Sequence, residues 1–505
     1  MGAESLKHIP GSFREAIDFL AARGELKQIK DEVDTVYEIS AIEKKLDNGP
    51  AFFFENIKGY PGVRDAGNLF ARIEDTAAMF GLDDHRKLKF KCHRAIKTPL
   101  PPKIVSKAPS QEIVITANID ISTTLPLIKH SPDDAGPMLG GGVALVKYPA
   151  EETWEISFKR MYFRGKDWGS INIIPATHLG KIAAGEFTKG SRVPLTINIG
   201  VSPAVMMMAA AYAIHTVVPD GTDELAIAGA LQEAPVEICK AKTVDAYAIA
   251  DSEWVIEGYA LPEKIFETDE AEKLGKAQAS PFAPEWAGYL AKALKPPKFQ
   301  VTAITHRQDR PIFYTPLAAS FETENLSRSF REACFYDIAE GIAPGLVTDV
   351  NIPYGIRANS GAVYQVKKRF SGDDSFVKNI LSGALGVSMS RLILAVDDDV
   401  NIYSADDILW AIATRANTQT GFNKAPPGSA AVGYVLNEYA ARTGAGGGEG
   451  IAIDATAPYA ARPSFQRAHY PSDTVDVSKW LTQEEIAAIR TMQSDYARFL
   501  ADIGG

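Results

Sequence analysis

Cysteine, basic charge and long apolar runs are what this sequence has least of. Its three cysteines among 505 residues, Cys92, Cys239 and Cys334, lie far apart and form no CxxC pair. That argues against both a disulfide framework and a cysteine zinc site. Acidic residues outnumber basic ones, giving a net charge of -10 and a pI near 5.5, whereas a nucleic-acid binder would carry a basic face. The longest apolar run, residues 204–214, is too short to span a bilayer, and the opening MGAESLKHIPGSF lacks the apolar centre of a signal peptide. The expectation is a cytoplasmic protein with no membrane and no nucleic-acid partner. No internal repeat is visible. The glycine-rich TGAGGGEG at 443–450 follows no strand and precedes no helix, so it reads as a mobile loop rather than a phosphate loop.

What is present is an ordinary globular composition, 46% apolar and 23% charged, with length for roughly three domains at about 150 residues each. Ser12 and Glu15 make a capping box ahead of a helix whose apolar face is Phe13, Ile17 and Leu20, and Gly24 stops it. AFFFEN at 51–56 reads as a strand, so the first region mixes helix and strand. The Pro- and Lys-rich TPLPPKIVSKAPS at 98–110 cannot continue a helix and marks a boundary near residue 105. Short segments at 112–116, 142–148, 155–163, 170–174 and 193–201 then predict a sheet or barrel rather than a doubly wound fold.

Ser202 and Pro203 open a helix that is apolar on every side and therefore buried. Glu224 is read as preceding an apolar strand, with further strands at 236–240, 253–257 and 299–306, and a charged, solvated helix over 263–276. In the third region RLILAV at 391–396 runs into Asp397, Asp398 and Asp399 and then a capped helix at 408–415, the pattern of a buried parallel sheet with helices on it. The triple aspartate reads as a strand-end turn rather than a metal site. A last helix starts at Gln483 under a Thr482/Glu485 capping box.

The chemistry gathers in residues 153–180. There TWEISFKRM puts Trp154, Ile156 and Phe158 on one side of a strand and Glu155, Ser157 and Lys159 on the other, with Arg160 next and His178 returning after a second strand. A half-buried strand whose polar face looks into a pocket brings a carboxylate, two cations and an imidazole together. A solvated strand face with a surface histidine is the plain alternative. A second candidate is Glu285 in the run SPFAPEW at 280–286, where aromatic neighbours desolvate the carboxyl and raise its pKa towards that of a proton donor. An ordinary loop glutamate is the alternative there.

In order and spacing, these pieces resemble the UbiD-like decarboxylases, which use prenylated FMN. The resemblance rests on the strand ending in Arg160, on His178, on Asp223-Glu224-Leu225-Ala226 before Gly229, on Ser252-Glu253 and Glu257-Gly258, and on Val396-Asp397-Asp398-Asp399-Val400. It covers almost the whole chain. It implies an α/β (α+β) fold with an N-terminal mixed α/β domain (1–105), a central split β-barrel that binds flavin (106–315), a C-terminal α/β oligomerisation domain (316–480) and a terminal helix (481–505). Implied cofactors are prenylated FMN and a divalent metal, manganese in most members, with K+ as a further candidate. Implied partners are an aromatic acid, CO2, a flavin prenyltransferase that supplies the cofactor, and further copies of the chain in a dimer or hexamer.

The resemblance also implies roles. Glu155, His178 and Glu224 match the metal ligands, although the family has Asn where this chain has Glu155. Glutamate offers oxygen as an amide does, but adds a negative charge beside a phosphate. Cofactor positions are matched by Glu155, Ile156, Ser157, Phe158, Lys159, Arg160, Thr177, His178 and Glu224, and by Arg391, which stands where the family has a lysine. Arg160 matches the arginine facing the substrate carboxylate, a task suited to its planar fork. Glu285 falls on the second carboxylate of the family's acid motif, and Ser280 on the first, which is lost. The PFAPEW form is similar to members acting on hydroxylated aromatic acids, whereas those acting on acrylic acids keep both carboxylates.

Loss of CO2 from an sp2 carbon leaves an anion that only a cofactor can stabilise. The implied reaction is therefore a reversible, non-oxidative decarboxylation of an aromatic or heteroaromatic acid, with Arg160 holding the carboxylate and Glu285 as proton donor. Three alternatives stand beside it: an FMN-dependent reductase, a hydrolase using a metal on Glu155, His178 and Glu224, and a non-catalytic subunit of a decarboxylase assembly.

Overall fold

The computed structural model describes residues 8–211, 216–357, 360–387, 390–424, 450–468 and 470–494. They fall into two compact units, Met1–Ala333 and Cys334–Gly505. Most of the glycine-rich stretch and the end of the 204–214 run lie outside the described residues.

In the first unit the Phe13–Ala22 helix starts as its sequence dictates, with the Ser12 hydroxyl accepting from the Glu15 amide. The box is only half closed, because the Glu15 carboxylate accepts from the amide of Gly11 at 2.8 Å instead of that of Ser12. Strands Leu26–Val33, Ala51–Ile57, Arg64–Gly67 and Ile312–Tyr314 lie in that order in one sheet. One apolar core runs unbroken from Phe13 to Ala333. Arg14 ties the first helix to the strands beyond by donating to both oxygens of Glu253, at 2.8 and 2.9 Å. Within the Pro- and Lys-rich stretch, Lys103–Val105 pairs in parallel with Glu237–Lys240.

The short alternating segments close into an antiparallel barrel of six strands. Around it run Trp254–Lys264, Val193–Ile199, Leu139–Lys147, Trp154–Phe163, Trp168–Ile171 and Pro297–His306, and the last pairs back onto the first. Closure removes the free edges that such strands would otherwise expose. The closing seam bulges between Glu257 and Gly258. A Cβ at Gly258 would lie 2.2 Å from the Gln300 carbonyl oxygen, so only glycine fits there.

Two expectations are corrected here. Glu224 opens a helix, Glu224–Leu231, rather than leading into a strand. Asp223 caps it by accepting from the Ala226 amide, and ELAIAGAL lacks the β-branched density of a strand while being apolar all round, as a buried helix must be. The charged 263–276 stretch is not one solvated helix: the Trp254–Lys264 strand runs into it, only Asp269–Lys273 is helical, and Glu267 is fully buried.

The second unit is built on a five-stranded sheet in the order Val347–Asn351, Gly361–Val366, Leu392–Asp397, Ile451–Ala455, Phe422–Lys424. Its three inner strands are parallel and its two edges antiparallel. Helices Asp373–Leu385 and Ala405–Arg415 pack against the sheet. The triple aspartate ends its strand in ion pairs: Arg415 binds Asp397 and Asp399, and Arg462 binds Asp398. The Gln483–Met492 helix has the complete Thr482/Glu485 box.

Candidate active site

The Trp154–Phe163 strand serves two clusters, because successive side chains leave a strand on opposite sides. The first holds Glu155, Lys159, His178 and Glu224. Thr177 starts the His178–Thr188 helix by accepting from the Gly180 amide. It thereby sets His178 in the first turn, where Nδ1 lies 2.9 Å from Glu224 Oε1. The other Glu224 oxygen accepts from the Ile156 amide at 2.8 Å, which locks the strand, the His178 helix and the Glu224 helix together. Tyr148 stacks obliquely near His178, and Asp220 lies 3.4 Å from its Nε2.

This cluster is buried rather than half-exposed. Glu155 is 2% accessible, Lys159 5% and His178 4%, since the Pro203–Ala209 and Glu224–Leu231 helices cover this strand. The surface-histidine reading is thereby overturned. Burial pushes the Glu155 carboxyl well up; Lys159 pulls it back and Glu224 pushes further. Burial also lowers the Lys159 ammonium, against the pull of Glu155 and Glu224. For His178, burial opposes the charged form, but Glu224 outweighs it and holds the imidazole above its ordinary value. Ser157 donates to Glu155 Oε1 at 2.6 Å, while Glu155 Oε2 is buried with no hydrogen-bond partner. Among the described residues, no three His, Cys, Asp or Glu side chains gather so as to hold a metal ion unaided.

The second cluster surrounds Arg160. Its Nη1 donates to Glu285 Oε1 at 2.7 Å, and its Nη2 to both oxygens of Glu267 at 3.2 and 3.0 Å. The guanidinium lies 4.2 Å from the centre of the buried Phe282 ring. Glu285 sits at the turn of a hairpin between Pro281–Pro284 and Leu290–Lys292, its amide bonded to the Tyr289 carbonyl. Burial raises the Glu285 carboxyl, Arg160 and the Trp286 amide lower it, and Glu267 raises it again. A carboxyl poised in this way can exchange a proton.

Sequence reasoning singled out Arg160 and Glu285 and missed Glu267. Its one signal was the Phe266 before it, an apolar residue in a stretch otherwise reading as solvated. Ile156 is buried and Phe158 packs on the core at its edge. Arg391 belongs to the second unit, just before the Leu392–Asp397 strand, and its Nη2 is buried without a hydrogen-bond partner among the described residues.

Three family models match the chain in succession. They are the N-terminal domain of 3-octaprenyl-4-hydroxybenzoate carboxy-lyase over residues 17–91, its Rift-related domain over 103–320 and its C-terminal domain over 325–446. The chain belongs to the UbiD family. Among UbiD relatives, the gallate decarboxylase of Lactiplantibacillus plantarum is 30% identical over 74% of this chain and 76% of its own. Among solved structures, an evolved dimeric form of the UbiD-class enzyme HmfF from Pelotomaculum thermopropionicum, in complex with prFMN, superposes with a TM-score of 0.79 at 29% identity, covering 93% of this chain and 100% of that one. The apo 3,4-dihydroxybenzoic acid decarboxylase of Enterobacter cloacae gives 0.79 at 27% identity, over 94% and 99%. The UbiD fold and its barrel are thus those the resemblance implied. No helix among the described residues is long and apolar enough to cross a membrane.

Proposed function

We propose that this UbiD-family chain is a carboxy-lyase that removes CO2 reversibly, without net oxidation, from an aromatic or heteroaromatic acid, with prenylated FMN as its cofactor. Family membership supports the reaction class. The gallate and 3,4-dihydroxybenzoic acid decarboxylases among the relatives support an aromatic substrate, and the HmfF complex with prFMN supports the cofactor. The observation that carries the reading is the 2.7 Å contact between Arg160 and Glu285, a cation for the substrate carboxylate beside an acid for the product.

When bound, prenylated FMN supplies the electron sink that a carbanion on an sp2 carbon requires. Arg160 presents its fork to the substrate carboxylate, and the Phe282 ring beneath keeps water from that face of the guanidinium. Glu285 holds a proton and returns it to the ring carbon that CO2 has left. In reverse, Glu285 takes the ring proton, so high CO2 drives carboxylation.

Glu155, Ile156, Ser157, Phe158, Lys159, Thr177, His178 and Glu224 would hold the phosphate end of the cofactor, with Glu155, His178 and Glu224 as ligands of a divalent ion. The orphaned Glu155 Oε2 is an oxygen donor of the kind a manganese-like ion takes, and Lys159 offsets the charge that Glu155 adds, whereas His178 and Glu224 bond each other and would have to part to reach the ion. Arg391 is a candidate contact for an anionic group. A flavin prenyltransferase would supply the cofactor, and the working form would be a dimer or hexamer.

The test is the native mass and absorbance spectrum of protein produced together with a flavin prenyltransferase. A bound species heavier than FMN by the prenyl-derived ring supports the reading. Unmodified FMN with nicotinamide-dependent turnover makes the protein a reductase instead.

A further inference from the structure

In the cluster of Glu155, Lys159, His178 and Glu224, most of the groups suited to a metal are already engaged inside the protein. Both Glu224 oxygens are taken, Oε1 by His178 Nδ1 at 2.9 Å and Oε2 by the Ile156 amide at 2.8 Å. Glu155 Oε1 accepts from the Ser157 hydroxyl at 2.6 Å, which leaves Oε2 as its one open oxygen. A hard divalent cation takes about six donors, so a single open oxygen is a poor seat for it. The other open group is the Lys159 ammonium. Lys159 is 5% accessible, and among the described residues it makes no hydrogen bond and no contact ion pair. Glu155 and Glu224 are the charges that act on it from a distance. Glu155 is four positions away, about 13 Å along a strand, with Ser157 between them. The Pro203–Ala209 helix that covers this strand is PAVMMMA and has no acidic side chain to offer. A buried cation without a contact partner is costly unless a ligand supplies one.

We infer that Lys159 is a built-in counter-ion for the cofactor phosphate, so that this chain holds its flavin without needing a divalent ion. The inference rests on the reading of this cluster as the phosphate end of the flavin site. A phosphate brings negative charge and several acceptor oxygens, and an ammonium meets it with three donors as a compact point charge. Before the phosphate arrives, Lys159 balances Glu155, the carboxylate that stands where the resemblance puts an uncharged asparagine. A divalent ion enters at Glu155 Oε2 only after His178 and Glu224 part, and it then joins a phosphate that Lys159 already holds.

The experiment measures flavin binding rather than turnover. Full-length wild type, Lys159→Met and Lys159→Arg, each made without a flavin prenyltransferase, are titrated with FMN and with riboflavin, which lacks the phosphate, in EDTA and in Mn2+, and flavin fluorescence is followed. Wild type in EDTA binds FMN within about threefold of its affinity in Mn2+. Lys159→Met loses about a hundredfold of its FMN affinity in EDTA, the effect of truncating one member of a buried charge pair. It regains most of that affinity in Mn2+, and its riboflavin affinity is that of wild type, which places the loss at the phosphate. Lys159→Arg keeps FMN affinity in EDTA. Wild-type FMN binding that collapses in EDTA, or Lys159→Met that binds FMN in EDTA as tightly as wild type, overturns the inference and leaves the flavin site standing. A parallel loss of FMN and riboflavin affinity in Lys159→Met makes Lys159 a structural residue and also overturns it. Equal wild-type affinity for FMN and riboflavin overturns the placement of the phosphate in this cluster, and binding of neither flavin overturns the flavin site itself; the inference falls with either.

Discussion

Arg160 Nη1 and Glu285 Oε1 lie 2.7 Å apart, although 125 positions separate them in the chain. One comes from a barrel strand and the other from the turn of a hairpin that folds back onto it. Glu285→Gln and Arg160→Ala should each reduce decarboxylation by at least about a hundredfold, within the range for removing a general acid, while leaving the flavin bound. Steady-state rates on a hydroxylated aromatic acid, with the flavin spectrum as control, measure both. Full activity in either variant removes the role assigned to that residue.

The resemblance puts Glu155 at the family's asparagine position, so Glu155→Asn tests that assignment. The extra carboxylate charge should tighten divalent binding, and its loss should weaken manganese affinity about tenfold, or ~1.4 kcal/mol, in the flavin-loaded protein. Titration of the metal-free holoenzyme with Mn2+ measures this. Equal affinity in the two proteins shows that the added carboxylate charge does not tighten the metal.

Glu43, Asp65 and Glu322 are fully buried and act on one another within the first unit. Glu322 is well served, accepting from the Asn68 and Leu69 amides and the Tyr314 hydroxyl. Both Glu43 oxygens lack hydrogen-bond partners, and Glu43 presses so close to Gly67 that a Cβ there would sit 1.8 Å from Oε1. Burial first, then Asp65 and Glu322, raise Glu43 well above its usual range, and burial raises Glu322 to about 7. A carboxyl raised in the folded state binds protons that the unfolded chain has released. Its contribution to stability is therefore complete below the ordinary carboxyl pKa and is lost as pH rises through the folded value. Urea unfolding should show stability falling between about pH 5 and pH 8. Glu43→Gln should flatten that slope and add about 1–2 kcal/mol at pH 8. A slope unchanged in Glu43→Gln contradicts this account.

In the second unit the Arg415 side chain is 2% accessible and that of its partner Asp397 is 4%. Arg415→Met leaves Asp397 buried without the nearest cation, which should cost about 3–5 kcal/mol. Urea unfolding followed by the emission of Trp410, against which the Arg415 guanidinium packs, reads that loss. A cost below about 1 kcal/mol, as for an exposed pair, means that solvent reaches the aspartate.

How much of this was legible in the sequence follows physical lines. The barrel strands were visible because a two-residue alternation is local, and the helix starts at Ser12 and Thr482 because a cap is a matter of three residues. The Glu224 helix was misread because ELAIAGAL is apolar on every side and carries no period; the Asp223 cap was the signal that decided it. Arg160, Glu285 and His178 stood out by residue type in their surroundings, and Glu224 only through the family resemblance. Glu267 did not, since a glutamate in a charged stretch reads as solvated until the chain folds it against Arg160. Which cation meets which carboxylate is decided by long-range packing, and no local pattern records it.

The central claim is that the protein decarboxylates an aromatic acid with a prenylated flavin, and CO2 release tests it most directly. The protein is produced with and without a flavin prenyltransferase and given gallate, 3,4-dihydroxybenzoate and related aromatic acids. The account predicts CO2 release only from the co-produced protein, with deuterium from D2O appearing at the carbon that lost the carboxylate. Equal release from both preparations, or none from a preparation whose mass shows the prenylated flavin bound across a broad panel of such acids, contradicts it.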